Sequence, residues 1–143
     1  MITRTASARY EGFGKDGKGH VSTQSGVLDD QSYGFGSRFE SEKGTNPEEL
    51  IAAAHAACFT MALSFALARE GLTAGTLETE AKVKLDKDGD GFKVSRSDLS
   101  LEANVNGIEE SRFREIAETA KANCPISKLL NAEIGFDYRF NGN

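Results

Sequence analysis

The sequence predicts an α+β fold in the order β-β-β-α-β-β-α-(short α)-β, built round one long buried central helix. Three observations carry that prediction. From Leu50 to Ala68 every residue except His55, Thr60 and Ser64 is apolar, on all sides and not on one stripe, which is the pattern of a helix buried all round. Alternating apolar and polar residues then mark half-exposed strands after it, with Leu77, Thr79, Ala81, Val83 and Leu85 set against Glu78, Glu80, Lys82, Lys84 and Asp86. Glycine-rich clusters such as GFGKDGKG and DKDGDG separate these segments as turns.

Thr3 to Glu11 has weak strand character, and the turn from Gly12 to Gly19 joins it to a second strand over about His20 to Leu28. Tyr33 to Phe39 alternates aromatic and small residues as a third short strand does, and places Arg38 at its end, a short tether away from the helix. Asn46 then supplies a side-chain oxygen to the free NH groups of the first helical turn, with Pro47 at the position where a missing NH costs nothing. Glu48 and Glu49 sit at the positive end of the dipole, and Glu49 is spaced to reach back in a capping box. Arg69, Glu70 and Gly71 close the helix.

After the first alternating strand, Asp86 to Gly91 turns into a second over about Phe92 to Val105. Leu99, Leu101, Ala103 and Val105 share one face, whereas Phe92 and Val94 have the opposite parity, so a bulge or twist is expected near Arg96. Glu109 to Ala122 carries Phe113, Ile116, Ala117 and Ala120 at helical spacing. Asn123-Cys124-Pro125 interrupts it, and Pro125 opens a short helix through Asn131 with Cys124 as its N-cap. Ile134, Phe136, Tyr138 and Phe140 form the last strand.

Composition bounds the function. The 143 residues make a single domain, spanning 1–143, with a formal charge of -5, which argues against nucleic acid or an anionic membrane as partner. A transmembrane reading of the long helix is set aside, because much of the run is alanine, its start is acidic and strand-like segments flank it. MITRTASARYEG shows no apolar signal segment, so the cytoplasm is expected, and the two cysteines, Cys58 and Cys124, are read as catalytic, redox-active or inert before a structural staple. As a structural staple, a bridge closing about 67 residues would contribute on the order of 4 kcal/mol in the chain-entropy model.

A thiol with a pKa of about 8.5 is only a few per cent thiolate at neutral pH, so a reactive cysteine needs a nearby positive charge or dipole. Arg38 supplies a permanent charge, and a carboxylate from Glu48 or Glu49 orients a guanidinium by bidentate pairing. Glu48 precedes Cys58 by ten residues, about 15 Å of helical rise. By local rules Cys124, capping a helix, is the low-pKa thiol. His20, His55, Cys58 and Cys124 lack zinc-site spacing, DKDGDG lacks the glutamate of a calcium loop, and no phosphate-cradling loop is present, so neither metal nor cofactor is expected. His55 is read as a core or interface histidine.

GVLDDQSYGFGSRFESEKGTNPEELIAAAHAACFTMALS, followed by AKANCPISKLLNAEI, resembles the OsmC/Ohr family of osmotically inducible and organic hydroperoxide resistance proteins, and within it the OsmC branch. The resemblance extends along essentially the whole chain. It implies an intertwined homodimer with two active sites at the subunit interface, and a cysteine-based peroxidase that reduces organic hydroperoxides, and hydrogen peroxide less efficiently, in oxidative or osmotic stress defence. By motif position Cys58 is the peroxidatic cysteine, Cys124 the resolving one, Glu48 the carboxylate after Asn-Pro and Arg38 its partner. Arg9 is the lesser candidate for the charge, because in the Ohr branch it comes from earlier in the chain. The implied reductant is a dithiol on a lipoylated protein. Two alternatives keep the same fold: a peroxide-responsive redox sensor, and a non-catalytic disulfide-containing binding protein.

Overall fold

The computed structural model describes residues 1–142, and the chain divides into two compact units, residues 1–50 and Ile51 onward. The first unit holds an antiparallel sheet of β1 (Ala6–Glu11), β2 (Lys18–Thr23) and β3 (Gln31–Tyr33), in that spatial order. A single 3-10 turn, Gly14–Asp16, lies within the β1–β2 connection. The expected third strand from Tyr33 to Phe39 is corrected here: the strand ends at Tyr33 and the rest coils into a short helix, α1 (Phe35–Phe39). The physical reason is local. The Ser37 hydroxyl accepts from the Gly34 NH at 3.0 Å and donates to the Thr45 carbonyl at 2.7 Å, which rewards a helical turn over extension.

The long helix, α2 (Pro47–Arg69), begins as expected, with the Glu49 NH donating to Asn46 Oδ1 at 2.8 Å. Glu49 does not close the box on Asn46; its carboxylate accepts from the Thr45 hydroxyl at 2.8 Å. At the other end the Leu72 NH bonds the Leu67 carbonyl and the Gly71 NH bonds that of Ala68, a Schellman closure that needs the left-handed φ of 88° at Gly71.

In the second unit β4 (Thr76–Asp88) pairs antiparallel with β5 (Gly91–Asn104), and β6 (Glu133–Asn141) joins β5 in parallel. The chain reaches β6 through α3 (Glu110–Asn123) and α4 (Pro125–Leu129), the helical connection that a parallel pair requires. Opposite Lys84 and Leu85 stand Arg96 and Val94, so Ser95 is the extra residue of a bulge, beside Arg96 as the parity change predicted.

One face of α2 forms the core with this sheet and α3. His55, Phe59, Leu63 and Leu67, spaced four apart, are its buried residues, and the Phe59 ring meets Phe136 of β6 edge-on at 5.5 Å. Thr60 satisfies its hydroxyl on the Ala56 carbonyl and on Thr79 of β4, both at 2.6 Å. Burial all round is therefore not what a single chain shows: Met61 and Phe65 on the same helix are 62% and 61% exposed. By length and apolar content α2 would suffice to cross a membrane, but its buried stripe is committed to this core.

Candidate functional site

Both cysteines lie in the second unit as free thiols. Cys58 points from the middle of α2 and is partly exposed, whereas Cys124, at the break between α3 and α4, is 1% exposed. Proline at the first position of α4 forces this break, and Cys124 Sγ caps the new helix by accepting from the Ser127 NH at 3.4 Å. The two thiols are close enough that each shifts the other's acidity.

Their acidities separate. Burial pushes Cys58 up most, the Ile126 NH lowers it, and the neighbouring Cys124 raises it further, for a net rise. Cys124 also pays for burial, but the Ser127 hydroxyl and NH, the Cys58 thiol and the Ile126 NH together outweigh that and bring it below its ordinary value. Cys124 is therefore the thiol shifted toward the thiolate and Cys58 the one shifted away from it. The helix-cap argument from sequence thus describes the more acidic thiol, and accessibility describes the other one.

The charged pair is organised within the first unit. Arg38 Nε and Nη2 donate to the two carboxylate oxygens of Glu48, each at 2.9 Å, a bidentate fork. α1 presents the guanidinium and the first turn of α2 presents the carboxylate. Asn46 ties the two segments together, its Nδ2 donating to the Ser37 carbonyl at 3.0 Å. Glu48 raises the Arg38 pKa further, through the hydrogen bond first and against a small desolvation cost, so the charge is permanent. The guanidinium also lies 5.2 Å from the centre of the Phe39 ring. Arg9, the lesser candidate, is elsewhere on the sheet, an exposed side chain paired with Glu11 at 3.1 Å and Asp30 at 3.5 Å.

His55 is fully buried and no metal candidate, since both ring nitrogens are taken: Nδ1 lies 2.6 Å from Ser97 Oγ and Nε2 2.7 Å from Ser127 Oγ. Ser127 Oγ in turn lies 3.5 Å from Cys124 Sγ. Sequence reasoning overlooked both serines. Ser127 was within reach as part of NCPIS, one turn beyond the Cys124 cap; Ser97 is 42 residues from His55 and gave no local signal. Beside Cys124 opens a cavity of about 510 Å³ whose lining includes Ala62, Phe65, Ala66 and Ile116.

This arrangement can be set beside known proteins. The family described as OsmC-like protein matches residues 40–139. Peroxiredoxin OsmC of Escherichia coli (strain K12) is 54% identical over 138 residues, which cover 96% of each chain. The crystal structure of the organic hydroperoxide resistance protein OhrB of Bacillus subtilis matches with a TM-score of 0.70 at 31% identity, covering 96% of this chain and 98% of that one. An organic hydroperoxide resistance protein from Elizabethkingia anophelis gives 0.74 at 26% identity, over 100% and 98%. With its motifs, its fold and these relatives in agreement, the chain belongs to the OsmC-like protein family.

Proposed function

We propose that this chain is a thiol-dependent peroxidase that reduces organic hydroperoxides to alcohols, with Cys58 as the peroxidatic cysteine and Cys124 as the resolving one. The observation that carries this reading is a pair of neighbouring free thiols of unequal access: Cys58 is partly exposed, whereas Cys124 is 1% exposed beside it. Relatives named for peroxiredoxin activity and organic hydroperoxide resistance support the reaction class.

In this mechanism the Cys58 thiolate attacks the peroxide oxygen distal to the organic group. The O–O bond breaks, Cys58 becomes a sulfenic acid, and the alkoxide takes a proton and leaves as the alcohol. Cys124 then displaces the hydroxyl from Cys58, giving a disulfide and water, and an external dithiol, proposed to be a lipoylated protein, restores both thiols.

Alone, the Cys58 thiol is held up by burial, so the chemistry needs a positive charge brought to it. Arg38, pre-aimed by Glu48, is the group we assign to that task, to hold the peroxide and stabilise the charge that develops on its oxygens. A homodimer is part of the proposal, supported by the uncovered Met61 and Phe65 of α2, which a second copy would cover. A cytoplasmic role in peroxide stress defence with a single domain over the whole chain completes it.

Alkyl hydroperoxides are proposed as preferred over hydrogen peroxide, because each methylene buried on binding gains about 0.8 kcal/mol. The test is kcat/KM across hydrogen peroxide and hydroperoxides of increasing alkyl length with a dithiol as reductant. Rising efficiency with length supports the reading; equal efficiency on all of them counts against it.

A further inference from the structure

His55 takes no part in the chemistry described so far, yet it is buried completely and tied at both ring nitrogens to hydroxyls from two other elements, Ser97 of β5 and Ser127 of α4. Ser97 is itself fully buried. Ser127 continues the line to Cys124 Sγ at 3.5 Å, and Cys124 to Cys58. Burying a polar ring costs free energy unless both nitrogens are satisfied, and these two hydroxyls satisfy them while linking the ring to Cys124.

Burial holds His55 below its ordinary pKa, so the ring is neutral, with one N–H and one lone pair. The hydrogen bonds must therefore run in one direction along the line. With the proton on Nδ1, His55 donates to Ser97 and accepts from Ser127, which leaves Ser127 only a lone pair for Cys124 and suits a neutral thiol. With the proton on Nε2, Ser97 donates to the ring, the ring donates to Ser127, and the Ser127 hydroxyl is free to donate to Cys124 Sγ. That second tautomer suits a thiolate.

We propose that His55 is a positioning residue for the resolving step, turning the Ser127 hydroxyl towards Cys124 so that its sulfur attacks the Cys58 sulfenic acid as a thiolate. This rests on the peroxidase reading above. In the step, the Cys124–Cys58 S–S bond forms and the Cys58 S–O bond breaks. The proton given up by Cys124 joins the departing hydroxide as water. None is stored on His55, which stays neutral throughout; its Nε2-protonated tautomer is the one that leaves the Ser127 hydroxyl free to donate to the sulfur.

The titratable group facing Cys124 is Cys58, and the cavity beside it is also lined by Arg69, Glu70 and Arg112, so the test removes the first and leaves the other three unchanged. In a Cys58→Ser background, the thiolate of Cys124 is titrated by its ultraviolet absorbance for the parent, Ser127→Ala, His55→Leu and His55→Gln, each checked for folding by circular dichroism. Ser127→Ala and His55→Leu are expected to raise the measured pKa of Cys124 by about 1, a tenfold loss of thiolate at a given pH, since a hydrogen bond to a charged group is worth about that much. His55→Gln, which keeps an N–H for Ser127, falls between them and the parent. In the chain with both cysteines, Ser127→Ala should slow disulfide closure from the preformed sulfenic acid about tenfold.

A folded Ser127→Ala protein that titrates with the parent and closes its disulfide as fast overturns the proposal. Should His55→Leu not fold, Ser127→Ala and His55→Gln decide the matter. The titration uses no peroxide, so a failure of the peroxidase reading, seen as no oxidation of Cys58, is recorded separately.

Discussion

The charged pair and the thiol pair are held in opposite ways. Arg38 and Glu48 sit at a partly exposed junction of the first unit, joined by a fork of two 2.9 Å bonds and by the Asn46 clasp on Ser37. Cys124 and its line of Ser127, His55 and Ser97 are sunk in the core of the second unit, among side chains whose burial makes the fold. The contrast teaches a division of labour. The Arg38 guanidinium is kept where solvent still reaches it, whereas the Cys124 sulfur is fixed by packing, as the proposed roles of the two groups require. Perturbing the first region should therefore change chemistry at little cost in stability, and perturbing the second region's packing should do the reverse.

The largest effect tests the core side. Phe113 is fully buried on α3, with its ring 4.7 Å from that of Phe140. Phe113→Ala should cost about 3–5 kcal/mol in denaturant unfolding, the usual loss for a buried aromatic, while turnover per folded molecule stays within a few-fold of wild type. A large loss of turnover in the folded fraction would break the comparison.

Next comes its mirror image. Arg38→Met should lower kcat/KM for an organic hydroperoxide about 100-fold, the scale for removing a donor at a developing oxyanion, with an unfolding free energy changed by less than about 1 kcal/mol, because the pair is partly screened by solvent. Glu48→Gln keeps the charge of Arg38 but loses its orientation, and about tenfold is expected in steady-state assays. Stability losses that match the activity losses would mean that the pair is a structural strut.

Asn46→Ala is smaller and sharper. Loss of the cap alone should cost about 1 kcal/mol by thermal or denaturant unfolding. Since Asn46 also fixes the Ser37 carbonyl beside Arg38, kcat/KM should fall a few-fold in the fully folded protein. Unchanged kcat/KM would show that Arg38 is aimed by Glu48 alone.

The smallest effect is in the pH dependence of stability. Burial sets His55 below its ordinary 6.5, so between that value and the folded one the unfolded chain binds more protons than the folded chain. Unfolding free energy then rises with pH through that window. The stability is whole above 6.5 and is lost as pH falls through the folded value. His55→Gln should flatten this rise of stability with pH, measured as paired denaturant curves at and below pH 6.5.

These regions were also unequally legible in the sequence. Helix boundaries, the Cys124 cap and the bulge beside Arg96 depend on a few adjacent residues, so proline, asparagine, glycine and parity announced them. Tyr33 to Phe39 was misread as a strand because its alternation of aromatic and small residues fits both periods over so short a span. The decisive Ser37 bond goes to Thr45, beyond the segment itself. The fork from Arg38 to Glu48 spans ten residues; the chemistry asked for Glu48 or Glu49, the family resemblance pointed to Glu48, and the bond is made to Glu48. Ser97 lies 42 residues from His55, and Ser127 lies 72, so only the β5 register and the α3–α4 break bring them to the ring. All-round burial of α2 was inferred from composition, yet composition does not say which faces the same chain covers.

The central claim is that Cys58, less acidic but reachable, is the thiol that meets the peroxide. Consumption of an organic hydroperoxide with a dithiol reductant, compared across wild type, Cys58→Ser and Cys124→Ser, tests it most directly. Turnover should vanish in Cys58→Ser, while Cys124→Ser still reacts once to give a sulfenic acid that a dimedone-type probe traps. A Cys124→Ser protein that cannot react at all, beside a Cys58→Ser protein that can, would contradict the account and assign the first attack to the more acidic, buried sulfur.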